Sequence, residues 1–389
     1  MKKRVISLAL LSATTSLMAL GGEFAYLYKD PRIMGMGGAN VAVGAYSTAV
    51  FSNPAGLADI KKEHGFVVDL LGIGVQGSAQ TLDFFNDING ANDAQDVTKV
   101  LEKYNGEHFH YGIDNYSSVS KNSDAFAWSV GLLAATDINI QPHTNSSTGI
   151  LATSSRGYAG VILGVAKPFE TSYGRVDVGL GAKYIYQQSY EGALNISDIV
   201  NDNSDIVDTL RKKFEKQTDG FGIDLGVAYH PAPNNFWNPV FGMSILNIGS
   251  MSMNDNYGFQ PMTVNFGASI TPDVSFMNKL VLAVDYVDAL NANVIRSYTY
   301  SPTGNVTWVD NTDSDFMKRV RLGAGLGLID STFFSTTLNL GMYQSAYTAG
   351  LNMEVSLLKF NLATYEEQIG TGDVEIADRR YMLQLGLGW

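Results

Sequence analysis

Apolar and polar residues alternate with a period of two through segments of roughly ten residues along most of this chain, which commits each segment to a strand whose successive side chains point to opposite faces. The last segment is the clearest: Tyr381, Leu383, Leu385, Leu387 and Trp389 share one face, and Met382, Gln384, Gly386 and Gly388 the other. Val176, Val178, Leu180, Ala182, Tyr184 and Tyr186 separate in the same way from Arg175, Asp177, Gly179, Gly181, Lys183 and Gln187. The pattern recurs with Phe221 to Tyr229 against Gly222, Asp224, Gly226 and His230, with Leu280 to Tyr286 against Asp285, and with Val320 to Leu328 against Arg321, Gly323, Gly325 and Gly327. Strands of this length and pattern are what a tilted crossing of a bilayer requires.

A soluble β-sandwich or a secreted solenoid would also alternate, with one face on a core and one in water. Three features favour a membrane barrel instead. Tyr186, Tyr229, Tyr286, Tyr381 and Trp389 sit at the ends of the apolar faces, where an interfacial girdle belongs. Trp389 falls inside the last alternating segment. Short connections (168–174, 330–332) alternate with long polar ones (78–108, 196–218, 291–315), as short periplasmic turns alternate with long outer loops.

The expected fold is therefore all-β, a transmembrane antiparallel barrel of about 14 strands spanning 65–78, 110–121, 124–141, 149–167, 174–191, 219–231, 239–252, 262–271, 279–290, 316–329, 333–344, 347–356, 358–367 and 379–389. The second is weakly patterned, so twelve strands is the alternative count. With the first strand running outward, every long loop lands outside, and a tight turn near Ser345 becomes an outer turn.

Composition removes several function classes. Only 16% of the residues are charged while 40 are Gly, and no interior apolar run approaches the roughly 20 residues of a spanning helix. At 45% hydrophobic the chain has ample surface to bury and is not disordered. The absence of Cys excludes disulfide scaffolds, thiol nucleophiles and Cys-type metal sites. The net charge of −12 and the dispersed basic residues leave no footprint for nucleic acid.

Residues 1–21 begin with Lys2, Lys3 and Arg4, continue through an apolar stretch from Val5 to Leu11, and end on Ala19-Leu20-Gly21, the layout of a cleaved secretory signal; its removal takes the charge from −12 to −15. Residues 22–63, rich in small side chains, are too long for a leader and too apolar for a solvated tail. They are expected to form a hatch, or plug, in the lumen of the barrel formed by residues 64–389.

The run Asp30-Pro31-Arg32-Ile33-Met34-Gly35-Met36-Gly37-Gly38-Ala39-Asn40-Val41-Ala42-Val43, with Ala49-Val50-Phe51-Ser52-Asn53-Pro54-Ala55-Gly56-Leu57-Ala58, resembles the N-terminal hatch of the FadL-like outer-membrane superfamily. Within it the chain looks most like the conjugal-transfer TraF-like outer-membrane proteins. The resemblance implies a fourteen-stranded barrel with Asn53, Pro54 and Ala55 as the hatch motif and Gly35, Gly37 and Gly38 as its turn. It also implies passive uptake of hydrophobic small molecules such as long-chain fatty acids or hydrocarbons. A related PorV-type barrel serves secretion, so the alternative is a non-transporting partner in conjugal transfer, secretion or surface assembly. A thioredoxin-like protein that shares the TraF label offers no guide, because a chain without Cys cannot share its chemistry.

Two outer loops carry helical apolar stripes: Leu82, Phe84, Phe85 and Ile88 followed by Val97, Val100, Leu101 and Tyr104, and, in the second, Ile206, Leu210 and Phe214. By resemblance, Phe84, Phe85, Ile88, Ile206, Leu210 and Phe214 would receive a hydrophobic ligand; the plainer reading is that they cap the barrel or pack on each other. Arg175, Asp177, Lys183, Asp224, Asp285, Arg321 and Glu354 take lumen-facing positions and are expected in ion pairs that hold the plug, because charges do not belong on the lipid face. Lys183 or Arg321 could alternatively meet a ligand carboxylate. There is no G-x-S-x-G, HExxH or P-loop signature, His64, His108, His110, His143 and His230 fall mostly in loops or at strand ends, and the His108/His110 spacing lacks a third ligand. No catalytic residues, metal or cofactor are expected. The expected partners are outer-membrane lipid, a hydrophobic small molecule and the barrel-assembly machinery, the last through the C-terminal strand ending at Trp389.

Overall fold

The computed structural model describes residues 18–19 and 22–389 apart from 124, 145–148, 202–208, 210–211, 233–234, 254–256, 275–276, 301–305, 332 and 372–373. Except for Met18–Ala19, the signal segment therefore lies outside the described residues, as do Ile206 and Leu210.

Fourteen antiparallel strands close into one barrel. In chain order they are β1 (Phe66–Ser78), β2 (Phe109–Asn122), β3 (Ala127–Thr144), β4 (Gly149–Thr171), β5 (Gly174–Asn195), β6 (Glu215–His230), β7 (Val240–Leu246), β8 (Thr263–Ile270) and β9 (Lys279–Tyr286). A hairpin outside the wall, β10 (Val294–Tyr300) and β11 (Val306–Thr312), precedes β12 (Val320–Asp330), β13 (Phe334–Tyr343), β14 (Ala346–Val355), β15 (Leu358–Thr371) and β16 (Val374–Gly388). Each wall strand pairs with its sequence neighbour; β9 pairs with β12 across the hairpin, and β16 closes on β1. Every one of the fourteen spans read from the alternation corresponds to a wall strand, so the count is fourteen and not twelve.

The lengths are uneven. Strands β4 and β5 run 23 and 22 residues, about twice a membrane crossing, whereas β7, β8 and β9 have 7 or 8. The excess of β3–β5 rises at the long-loop end. There the first loop forms two helices of its own, Thr81–Gly90 and Ala94–Lys103, and lays them on that raised wall. Phe84, Ile88, Val97, Leu101 and Tyr104 meet Phe109, Ile140, Leu151 and Leu194 in one buried cluster, with Phe85 and Phe214 packed against it. Phe84 stacks on Phe109 at 4.5 Å between ring centroids. The amphipathic stripes have satisfied themselves against the wall.

Two features depart from the sequence expectation. The polar 291–315 connection contains the β10–β11 hairpin, which folds into the barrel mouth: Tyr298 is buried, its hydroxyl bonded to His143 Nε2 at 2.7 Å and donating to Gln141 Oε1 at 3.1 Å. The strand expected over 239–252 stops at Leu246. Asn247 turns left-handed (φ 53°) with its N–H donated to Asp224 Oδ1, and Met251 and Met253 swing inward onto the core. The tight turn at Gln344–Ser345 lies at the long-loop end as expected, with φ of 49° and 69°, the primed hairpin geometry that matches strand twist.

The lumen is filled by residues 22–64: a short helix α1 (Pro31–Gly35) and 3₁₀ turns at Ser47–Phe51, Pro54–Asp59 and Lys62–His64. Its Leu27, Val50, Leu57, Ala58 and Ile60 pack on Tyr116, Leu133, Tyr158, Ile162 and Ile185 of the inner wall.

Truncating a buried Phe costs ~3–5 kcal/mol. Phe84→Ala should therefore release the loop helices while the wall persists. Trypsin cleavage at Lys99 and Lys103 should quicken at least about tenfold with the heat-resistant barrel band unchanged on gels; unchanged cleavage would contradict the packing.

Candidate functional site

The N-terminal segment meets the inner wall through a dense set of buried polar contacts. Asp30 caps α1, its Oδ1 accepting from the Arg32 N–H at 2.9 Å, and the turn after α1 reverses through Gly37 (φ 68°), a conformation that suits glycine. A methyl group on Gly37 would overlap the Leu322 and Met342 carbonyl oxygens, so no larger residue fits between the two strands there. Gly38 follows with φ 77°, and Gly35 lies against Gly350 of β14. Asn53 caps the next turn: Oδ1 accepts from the Ala55 N–H at 3.1 Å, and Nδ2 donates to Val41 O at 2.7 Å and to Val227 O of β6 at 3.1 Å. Pro54 and Ala55 press on Gly179 and Gly226, where any Cβ would overlap them. The six residues singled out in the sequence thus form two backbone-close contacts with the wall.

Charges hold the segment on one side. Glu23 Oε2 meets Lys29 Nζ at 3.0 Å and Arg380 Nη1 at 2.8 Å; Lys29 also meets Glu367 at 2.8 Å, and Arg380 Nε meets Asp378 at 2.8 Å, next to His108 at 3.1 Å. All of these side chains are at least nine-tenths buried. Burial alone would raise the Glu23 carboxyl, but Arg380 and Lys29 outweigh it and hold Glu23 well below the usual carboxylate range. Burial likewise opposes the Lys29 charge, and Glu23 and Glu367 outweigh it, so Lys29 titrates above an ordinary lysine. Arg156 of β4, paired with Asp137 at 2.9 Å, donates to Tyr26 O at 2.8 Å.

The lumen charges expected from sequence divide into two groups. Arg175 pairs with Asp59 of the N-terminal segment, with Asp177 at 2.8 Å, and lies beside His230. Asp285 accepts the Val41 N–H at 2.8 Å and that of Asn40. These tie segment to wall. Lys183 instead pairs with Asp224 at 2.9 Å within the wall. Arg321 lies 3.9 Å over the Tyr343 ring and donates to Lys318 O and Val320 O; among the described residues no carboxylate is within ion-pair distance of it. Glu354, expected inside, is exposed where β14 turns into β15. Sequence reading missed Glu23, Lys29, Glu367, Asp378 and Arg380, although a charge at a lumen-facing position such as Arg380 signals that a partner must exist.

Beside the segment, on the β6–β10 side, run three cavities. One of about 290 Å³ lies under the hairpin, lined by Phe24, Tyr26, Arg156, Tyr257, Phe259 and Arg296. The second, about 130 Å³, shares Ala25, Tyr26, Gln260 and Pro261 with it and reaches Lys183 and Asn247. The third, about 200 Å³, shares Ala25, Tyr26, Phe51 and Leu246 with the second and reaches Gly38, Asn40 and Arg321. Of the loop residues suggested as ligand-binding, Phe84 and Ile88 are buried in the helical cluster and Phe85 and Phe214 pack against it, away from these cavities.

The family model described as F plasmid transfer operon, TraF, protein matches residues 50–286, more than half of the chain. The chain belongs to this TraF family. Among solved structures, the TraF-family barrel is similar to the toluene transporter TodX of Pseudomonas putida (10% identity, TM-score 0.53, 94% of this chain and 99% of that one). It is also similar to the toluene transporter TbuX of Ralstonia pickettii (13%, 0.50, 93% and 98%) and to a FadL homologue of Pseudomonas aeruginosa (10%, 0.51, 95% and 99%). At such identities the shared property is the FadL-like fold, which bears out the resemblance drawn from residues 30–58; the first two are described as toluene transporters. No curated protein sequence matches the chain.

The depressed Glu23 carboxyl predicts an acid limb. Its stabilisation is complete above the ~4.3 of an unpaired glutamate and is lost as pH falls from there toward its native value. A nitroxide on Ala25→Cys, unique in a chain without Cys, should give an immobile spectrum from pH 8 to 5 and a growing mobile component below about 4. Removing one partner of a buried pair costs ~3–5 kcal/mol, so Glu23→Gln should show the mobile component already at pH 7 and a flattened acid response; an immobile spectrum in that variant would contradict the network.

Proposed function

We propose that this chain is an outer-membrane channel for passive uptake of hydrophobic small molecules, with residues 22–63 acting as the hatch and residues 1–21 as the export signal. The observation that carries this reading is the row of three cavities sharing walls at Ala25 and Tyr26, which leads from beneath the β10–β11 hairpin to Gly38, Asn40 and Val41 of the hatch. It is a path already half made. Aromatic rings of Phe24, Tyr26, Tyr257 and Phe259 line its widest part, giving an apolar molecule its first contact there. The buried Phe84 cluster would meet a ligand only after the helical cap opened.

In this reading the long-loop end faces outward and the short turns face the periplasm. The Trp389-terminated strand, with Leu385 and Trp389 exposed on its outer face, is what the barrel-assembly machinery would receive. The structural neighbours described as toluene transporters support hydrocarbon as the ligand class. Passage requires the hatch to shift, because Asn53–Ala55 seals against Gly179 and Gly226.

A second reading, a non-transporting partner in conjugal transfer, secretion or surface assembly, is favoured by the description of the matching family and by that tight seal. One experiment separates them. Ser47 of the hatch donates to Asp69 of β1 at 2.7 Å, so Ser47→Cys/Asp69→Cys can be bridged by a short bifunctional thiol reagent. Cells carrying the chain should take up labelled toluene several-fold faster than cells without it, and bridging should return uptake to background. Uptake at background before bridging would sink the transport reading and leave the partner role.

A further inference from the structure

We propose that the outer wall across β7–β9 and β12–β13 carries a groove that seats one acyl chain of a membrane phospholipid. The groove encloses about 560 Å³. Ala268 and Ala324 form its floor, and Phe241, Leu282, Leu322 and Leu340 stand around it, each at least 39% exposed.

The wall is thin here for a reason found on its inner side. Gly323 and Gly341 line the groove, and the same two residues abut the hatch: a methyl group on Gly323 would overlap Met36 O, and one on Gly341 would come within 2.5 Å of the Gly37 nitrogen. A methyl group on the neighbouring Gly242 would overlap Val41 O, and one on Gly267 would overlap Asp285 Oδ1 and crowd Val41 Cβ. Without inward side chains to hold them apart, the sheet and the hatch backbone touch, and small residues outside leave the dip unfilled. Ser269, the polar residue of the lining, turns inward and donates to Ala42 O at 2.7 Å. The outward surface of the groove is therefore hydrocarbon throughout.

Position and shape identify the occupant. The groove lies in the alternating apolar band, toward the short-turn end where Phe236 and Trp237 stand exposed, and Trp237 O accepts from the Thr271 N–H beside it. Aromatic residues of that kind mark the headgroup level. A lipid whose headgroup rests there places its chain along Ala268 and Ala324. A second barrel would present a broad wall that the rim of Phe241, Leu282, Leu322 and Leu340 keeps off the floor; a single chain reaches it. A void in such a band forfeits dispersion contacts on one side, which a chain restores.

The inference rests on the membrane-spanning reading of the barrel. The full chain is placed in nanodiscs of phosphatidylethanolamine containing a fraction with a diazirine in one acyl chain, irradiated, and mapped by mass spectrometry. Adducts on β8 and β12 should exceed several-fold those on the equally apolar outward residues Leu362, Leu383 and Leu385 of β15 and β16. Filling the floor with Ala268→Phe/Ala324→Phe should remove the excess. Even labelling around the band would overturn the groove and keep the membrane reading. Absence of labelling anywhere on the band would overturn both. Photo-linked pairs of barrels through β8 and β12 would overturn the lipid in favour of a second copy. The unsubstituted chain alone decides among these outcomes, so the test stands even where the double variant does not fold.

Discussion

Removing one member of a buried ion pair leaves an uncompensated charge, and the fate of the N-terminal segment follows from that constraint. Glu23 and Lys29 reach charges on β15 and β16: without them Glu367 would lose its cation and Arg380 would keep Asp378 alone. Removing either side strands the other, which makes the segment part of the fold and not an attached tail. The network also fixes its path, since Tyr26 and Leu27 must then pass Arg156 and Tyr158, which bind their carbonyl oxygens.

Elsewhere close contact joins the charges, with Arg175 on Asp59 and Asp285 on the Val41 N–H. Around Asn53–Ala55 and the Gly35–Gly38 turn the wall supplies glycines, and backbone meets backbone. Anchored on β15 and β16 and sealed by close packing, the segment leaves spare volume on the β6–β10 side, where the cavities lie. The hairpin that roofs them is tied through Tyr298 to His143 and Gln141, through Arg296 to Glu191, and by packing of Tyr298 and Trp308 on Ile150 and Ala152. On the uptake reading proposed above, this is the side on which a path would open.

Much of the wall was legible in the sequence because a period of two survives whatever lies across the sheet. Even the ends of most strands fell within a few residues, and the loop stripe around Phe84 announced its need for a partner. The hairpin was not legible: Ile295 and Tyr298 are both buried although three residues apart, so no single alternating face marks β10. The premature end of β7 turns on Asn247 bonding Asp224, a contact between loop and wall that no local pattern encodes. The ion network was hidden for a similar reason, Lys29 and Glu367 being 338 positions apart. The motif residues Gly37 and Asn53 were visible as a motif, but what they touch, Leu322 and Met342 or Val227, was not.

The central claim is that residues 22–63 seal the lumen. Single-channel conductance across a planar bilayer measures it most directly, comparing the full chain with one lacking residues 23–60. The account requires the full chain to be electrically silent and the shortened, folded barrel to conduct in discrete steps. Stepwise conductance of similar size in both, or silence in a shortened chain whose barrel is intact, would contradict it.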